Sequence, residues 1–125
     1  MTQMALVVED DLSLAEAINK KLQLSGFTTV AARSVDDALH LMTVRLPNVI
    51  WLDHYLLGEK DGIDFAHAVK ANEAWKAVPM YVVSNTASND KVATYNELGV
   101  NGYYVKADHR LDEIIADIKA DTERD

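Results

Sequence analysis

Cysteine is absent from this chain of 125 residues. That excludes a disulfide framework and a thiolate metal site, and it suits a reducing cytoplasm. Positive charge is scarce: 12 Lys and Arg face 20 Asp and Glu, a formal net charge of −8. This balance argues against nucleic acid as a direct partner, because phosphate backbones are bound by an excess of Lys and Arg. No basic run or basic helix face supplies one locally. Long apolar runs are missing too: nothing approaches the roughly 18 residues of a membrane-spanning helix, and Met1-Thr2-Gln3-Met4 opens no signal-like segment. A soluble cytoplasmic protein without a membrane partner is the expectation. Linkers, repeats and low-complexity segments are also lacking, so residues 1–125 read as one domain, long enough for a proper hydrophobic core.

What is present is an ordinary globular composition, 49% hydrophobic and 26% charged, with the apolar residues in short blocks. The block Val49-Ile50-Trp51-Leu52 followed by Asp53 reads as a strand buried on both faces that delivers a carboxylate to its carboxyl end, where open α/β sheets bind ligands. A second block, Met4 to Val8, runs into Glu9-Asp10-Asp11. If the two strands are parallel neighbours, their acidic ends meet. Two unit charges about 4 Å apart interact by roughly 4 kcal/mol at an effective dielectric of about 20, so bare carboxylates gathered there require a positive partner.

Strand-like and helix-like blocks alternate from end to end. After the first strand, Leu14, Ala15, Ile18 and Leu22 stripe a helix that Gly26 stops. Phe27 to Ala32 is the second strand. Ser34 with Asp37 opens a second helix, striped by Val35, Ala38, Leu39 and Met42 and forbidden to continue past Pro47. The third strand ends in Asp53, and a loop from His54 to Gly62 leads to a helix bearing Ile63, Phe65, Ala66 and Val69. Pro79 opens the fourth strand, Met80 to Val83, which ends in Ser84-Asn85. Ser88-Asn89-Asp90 starts the next helix and Gly99 stops it. Gly102 to Val105 leads to Lys106. Leu111, Ile114, Ile115 and Ile118 mark the last helix, and the polar end from Asp121 to Asp125 is expected to fray.

Repeated βα units imply a parallel sheet with helices on both faces, because each right-handed crossover must cover the sheet. All loops that follow strands then share one edge. Glu9, Asp10, Asp53, Ser84 and Lys106 collect there: carboxylates, a hydroxyl and the required ammonium. Asp11 reads instead as a helix cap. His40, His54, His67 and His109 show no metal-ligand spacing. By strand alternation His54 points away from Asp53 and is read as peripheral, while Trp51 shares the side of Asp53 and is read as core. Trp75 is expected to pack in a loop after the third helix.

The acidic pair Glu9-Asp10, Asp53, Asp61-Gly62, Ser84, and Tyr103 with Lys106, in this order on these strand ends, resemble the receiver domain of two-component response regulators over essentially the whole chain. The resemblance implies an α/β, flavodoxin-like (βα)5 three-layer sandwich with a five-stranded parallel sheet in the order 2-1-3-4-5. It implies that Asp53 accepts a phosphoryl group from the phosphohistidine of a sensor histidine kinase or phosphotransfer protein. Asp10 and Asp53, Glu9 through water, and the backbone carbonyl of Tyr55 would hold Mg²⁺. Lys106 would pair with the phosphoryl oxygens, Ser84 would hydrogen-bond to one of them, and Tyr103 would turn inward as the conformational reporter. The output would be a protein contact through helix four, strand five and helix five, or a further transfer in a phosphorelay. The resemblance implies a switch that assists its own phosphorylation and dephosphorylation rather than an enzyme. Hydrogen bonds from Ser84 and Lys106 to a charged group, about 1.5–3 kcal/mol each, are comparable to the roughly 5.5 kcal/mol that swings a two-state equilibrium from 1:99 to 99:1.

The chain departs from the family pattern in several places. Ala107 follows Lys106 where proline is usual, so that peptide is expected to be trans. Leu57 stands where proline is common, in a loop one residue longer than the shortest family form, and Glu9 replaces the commoner aspartate. Asn85 stands where alanine or glycine is usual; with Tyr55 it is expected to narrow the site and slow attack by water on the acyl phosphate. The rival readings are weaker. A haloacid-dehalogenase-like Mg²⁺ phosphohydrolase needs a second aspartate where Tyr55 stands, and a flavin carrier's phosphate would be repelled by Glu9-Asp10-Asp11. A receiver-like binding module working without phosphorylation remains the alternative.

Overall fold

The computed structural model describes residues 3–85 and 88–123. Five strands, β1 (Gln3–Val8), β2 (Phe27–Ala32), β3 (Val49–Leu52), β4 (Met80–Ser84) and β5 (Gly102–Val105), alternate with α1 (Leu12–Leu24), α2 (Val35–Val44), α3 (Gly62–Lys70), α4 (Asn89–Glu97) and α5 (Leu111–Thr122). The strands form one parallel sheet in the order β2-β1-β3-β4-β5, as expected. Local chemistry sets the helix starts. Asp11 accepts from the Leu14 amide at 3.1 Å, Ser34 from Asp37 at 3.2 Å and Ser88 from Lys91 at 3.3 Å, each satisfying an amide that the helix itself cannot. Gly26 and Gly99 follow α1 and α4 with φ of +101° and +83°, a region that L side chains avoid.

The central strands are buried on both faces, and alternation divides their side chains between two cores. Leu6, Val8, Ile50, Leu52, Met80 and Val82 face α2 and α3, meeting Ala38, Met42, Phe65, Ala66 and Val69. Ala5, Val7, Val49, Trp51, Tyr81 and Val83 face α1 and α5, meeting Ile18, Leu22, Ile114, Ile115 and Ile118. Full burial of each large aliphatic residue contributes about 1.5–3 kcal/mol, which holds the sheet between its helical layers. Trp75 packs against the first core, as expected.

Two boundaries differ from the sequence reading. Asp61 is the N-cap of α3, with Asp64 completing a capping box, so the loop ends one residue earlier than expected. Asp121 and Thr122 continue α5, where the Tyr81 hydroxyl donates to Asp121 at 2.7 Å; a tertiary hydrogen bond holds the turn that local polarity would release. Met1, Thr2, Arg124 and Asp125, on which the expectations about the two ends partly rest, lie outside the described residues. Among the described residues no peptide is cis, Lys106–Ala107 included, and no helix is long and apolar enough to cross a membrane.

Candidate functional site

Register brings the expected residues together. Val8 pairs with Leu52, so Glu9 and Asp53 leave adjacent strands side by side. The Asp53 amide donates to the Val8 carbonyl and the Glu9 amide to Ala32. Ser84 pairs with Val105, and the Lys106 amide returns to the Ser84 carbonyl at 2.8 Å. Among the described residues the buried polar or charged side chains are Glu9, Asp53, His54 and Ser84, all at this one edge.

Oxygen atoms of Glu9, Asp10 and Asp53 lie within 4.8 Å of one another. Lys106 Nζ stands 2.9 Å from Glu9 Oε1 and 3.6 Å from Asp53 Oδ1. One ammonium thus serves two of these carboxyls, and Glu9 holds it more closely than Asp53 does. Burial is the main force on the acids. It pushes the Glu9 carboxyl up to about 7, against the lowering effect of the Lys106 hydrogen bond and reinforced by the Asp53 charge. Burial likewise raises Asp53, opposed by Lys106, by a hydrogen bond with Glu9 and by the His54 amide, which donates to Asp53 Oδ1 at 2.9 Å. A crowded set of hard oxygen donors that resists full ionisation fits a divalent cation such as Mg²⁺, whose charge would replace the protons. Asp10 is half-buried at the rim, and its carbonyl accepts from Arg33 Nε at 3.0 Å.

Ser84 and Tyr103 meet on the other side of Asp53. The Tyr103 phenol is raised by burial, an effect countered by its hydrogen bond to Ser84. Its ring is half-buried and packs on Tyr95 with centroids 5.7 Å apart. Tyr55 is exposed at the rim, with Lys91 Nζ 3.5 Å from its hydroxyl and 5.6 Å from its ring centroid. Asn85 is exposed at the end of β4.

His54 is not peripheral. It is 2% exposed, and its Nδ1 lies 2.7 Å from the hydroxyl of Tyr95, while Nε2 lies 3.7 Å from Asp61 Oδ2. Strand alternation failed because β3 ends at Leu52 and the chain bends at His54 and Tyr55, so the period of two no longer applies. Burial lowers the imidazole pKa, with Asp61 opposing. Tyr95 went unnoticed in the sequence. The available signal was one aromatic residue in the otherwise small and polar helix Asn-Asp-Lys-Val-Ala-Thr-Tyr-Asn-Glu. Trp51 is core, as expected, with its indole N–H buried and without a hydrogen-bond partner.

Comparison with known proteins agrees with this arrangement. The family pattern of the response regulator receiver domain matches residues 5–119. The transcriptional regulatory protein PrrA of Mycobacterium tuberculosis is 33% identical over 115 residues, which are 92% of this chain and 48% of PrrA. The chain therefore spans about half the length of that relative. The chemotaxis protein CheY of Pseudomonas aeruginosa is 31% identical over 102 residues, covering 81% of this chain and 82% of CheY. Among solved structures, the Mn(2+)-bound response regulator Rcp1 aligns with a TM-score of 0.83 at 25% identity, covering 94% of this chain and 92% of Rcp1. A putative response regulator from Chloroflexus aurantiacus shares the fold with a TM-score of 0.89 at 24% identity, covering 99% of this chain and all of that one. The chain belongs to the response regulator receiver domain family of two-component signalling.

Proposed function

We propose that residues 1–125 act as a single cytoplasmic receiver domain in which Asp53 is the phosphoacceptor. A carboxylate oxygen of Asp53 attacks the phosphorus of a phosphohistidine on a histidine kinase or phosphotransfer protein; the P–N bond breaks, the imidazole leaves and takes a proton, and an acyl phosphate forms. Asp10, Asp53, the Tyr55 backbone carbonyl and, through water, Glu9 would hold Mg²⁺, which would supply charge neutralisation for the phosphoryl oxygens. Lys106 supplies the remaining positive charge, 3.6 Å from Asp53 Oδ1 before transfer. Ser84 exchanges its bond to Tyr103 for one to the phosphoryl group, and Tyr103 follows. Output passes to a downstream protein through α4, β5 and α5.

The observation that carries this reading is the nearly buried Asp53 at the end of the central strand, between an acidic cluster and a single ammonium. A binding module without phosphorylation has no use for that costly burial of charge. A phosphohydrolase reading lacks support, since the residue two after Asp53 is the exposed Tyr55. The test is intact mass after incubation with acetyl phosphate, with and without Mg²⁺, for the wild type and Asp53→Asn. A Mg²⁺-dependent phosphoryl adduct absent from the variant is expected. No adduct from acetyl phosphate or from a phosphorylated histidine kinase would overturn the assignment.

A further inference from the structure

Helix α4 has one buried residue, Tyr95. Its side chain is fully buried and reaches the residue that follows Asp53: the Tyr95 hydroxyl and His54 Nδ1 are 2.7 Å apart. His54 Nε2 faces the Asp61 carboxylate at 3.7 Å, so a proton on Nε2 leaves Nδ1 as acceptor and Tyr95 as donor. The His54 amide donates to Asp53 Oδ1 at 2.9 Å. One residue therefore grips the carboxylate with its backbone and α4 with its ring. The fit is close, because a side chain at Gly62 would collide with the Tyr95 hydroxyl. Tyr95 also packs edgewise on His54 and tilts against Tyr103, at centroid distances of 5.7 Å in both cases.

We propose that the His54–Tyr95 hydrogen bond is the joint that couples α4 to the phosphoacceptor strand, His54 and Tyr95 being positioning residues that transmit the state of Asp53 without taking part in phosphoryl transfer. The proposal rests on the phosphoacceptor reading of Asp53. It adds to the Ser84–Tyr103 path a second, direct link that starts from the neighbour of Asp53 and ends on the sole buried anchor of α4. A joint suits this helix, since a helix held by one buried side chain is released as a unit when that side chain loses its partner.

The test is amide hydrogen exchange of the full chain, with and without acetyl phosphate and Mg²⁺, with the adduct followed by intact mass. Tyr95→Phe keeps the ring but leaves His54 Nδ1 buried without a donor, and His54→Leu removes the acceptor. Both variants are expected to take the phosphoryl group. In both, the amides of α4 exchange about tenfold faster before phosphorylation, and the phosphorylation-dependent change in α4 falls below roughly a third of the wild-type change. His54→Asn, with an amide oxygen near the Nδ1 position, restores the response. Wild-type exchange and response in α4 for both variants would overturn the proposal, as would faster exchange spread evenly over all helices. If the wild type takes no phosphoryl group, the phosphoacceptor reading fails, and the unphosphorylated comparison of Tyr95→Phe with wild type still decides whether the joint holds α4.

Discussion

Glu9→Gln should make the metal-free protein more stable at pH 8 and leave it unchanged at pH 4. The Glu9 carboxyl rises from an ordinary 4.5 to about 7 in the folded protein, chiefly through burial. Between those values the folded state holds a proton that the unfolded state has released, so stability falls as pH rises through this window. At about 1.4 kcal/mol per pKa unit, the full loss above pH 7 is roughly 3 kcal/mol. Glutamine abolishes this loss and can still accept from Lys106, although it gives up the charge of the 2.9 Å pair. A net gain of roughly 1–3 kcal/mol follows, or about 3–10 °C in Tm for a domain of this size. Urea and thermal unfolding of both proteins with a chelator present, at pH 4, 6 and 8, measure the difference while the other titrating groups largely cancel. The wild type should then gain more from Mg²⁺ than the variant, by up to about 2.7 kcal/mol at a hundredfold excess over Kd. A variant less stable than wild type at pH 8, or a difference that does not change with pH, would refute the account of the acidic cluster.

Lys106→Met removes the only cation that, among the described residues, pairs with the two buried carboxyls, and urea unfolding should show a loss of about 3 kcal/mol at pH 8 that shrinks at pH 4, where Glu9 is protonated. Gly62→Ala would place a methyl group 2.8 Å from the Asp53 carbonyl oxygen and 3.0 Å from His54 Cα, both backbone atoms that cannot rotate away; a loss of about 1–3 kcal/mol in chemical denaturation is expected. Tyr55→Asn and Asn85→Ala open the exposed rim of the site, and each should speed loss of the phosphoryl group severalfold when adduct mass is followed over time. Asp11→Ala removes the α1 cap at 3.1 Å and should cost about 1 kcal/mol in the same unfolding assay.

The sheet and most of the site were legible in the sequence because both depend on short-range chemistry that repeats. Apolar blocks of strand length, stripes of helical period, and Ser34, Ser88 and Gly26 at helix ends specify five βα units. A parallel sheet then carries Glu9, Asp53, Ser84 and Lys106 to one edge whatever the details, since every strand points the same way. Tertiary structure decided what lies across that edge. Lys106 sits nearer Glu9 than Asp53 although Glu9 follows β1, three strands from β5, and Asp53 follows β3, only two away; how far the lysine reaches across the sheet edge is set by the packed strands and encoded in no local pattern. Asp121 stays helical because Tyr81, forty residues away in sequence, donates to it. His54 is the sharpest case. Alternation along a strand placed it outward, but the chain bends after Leu52, and only the folded protein sets its ring against Tyr95 from another helix. Periodicity within an element is written in neighbouring residues, whereas the pairing of side chains from different elements depends on how those elements pack.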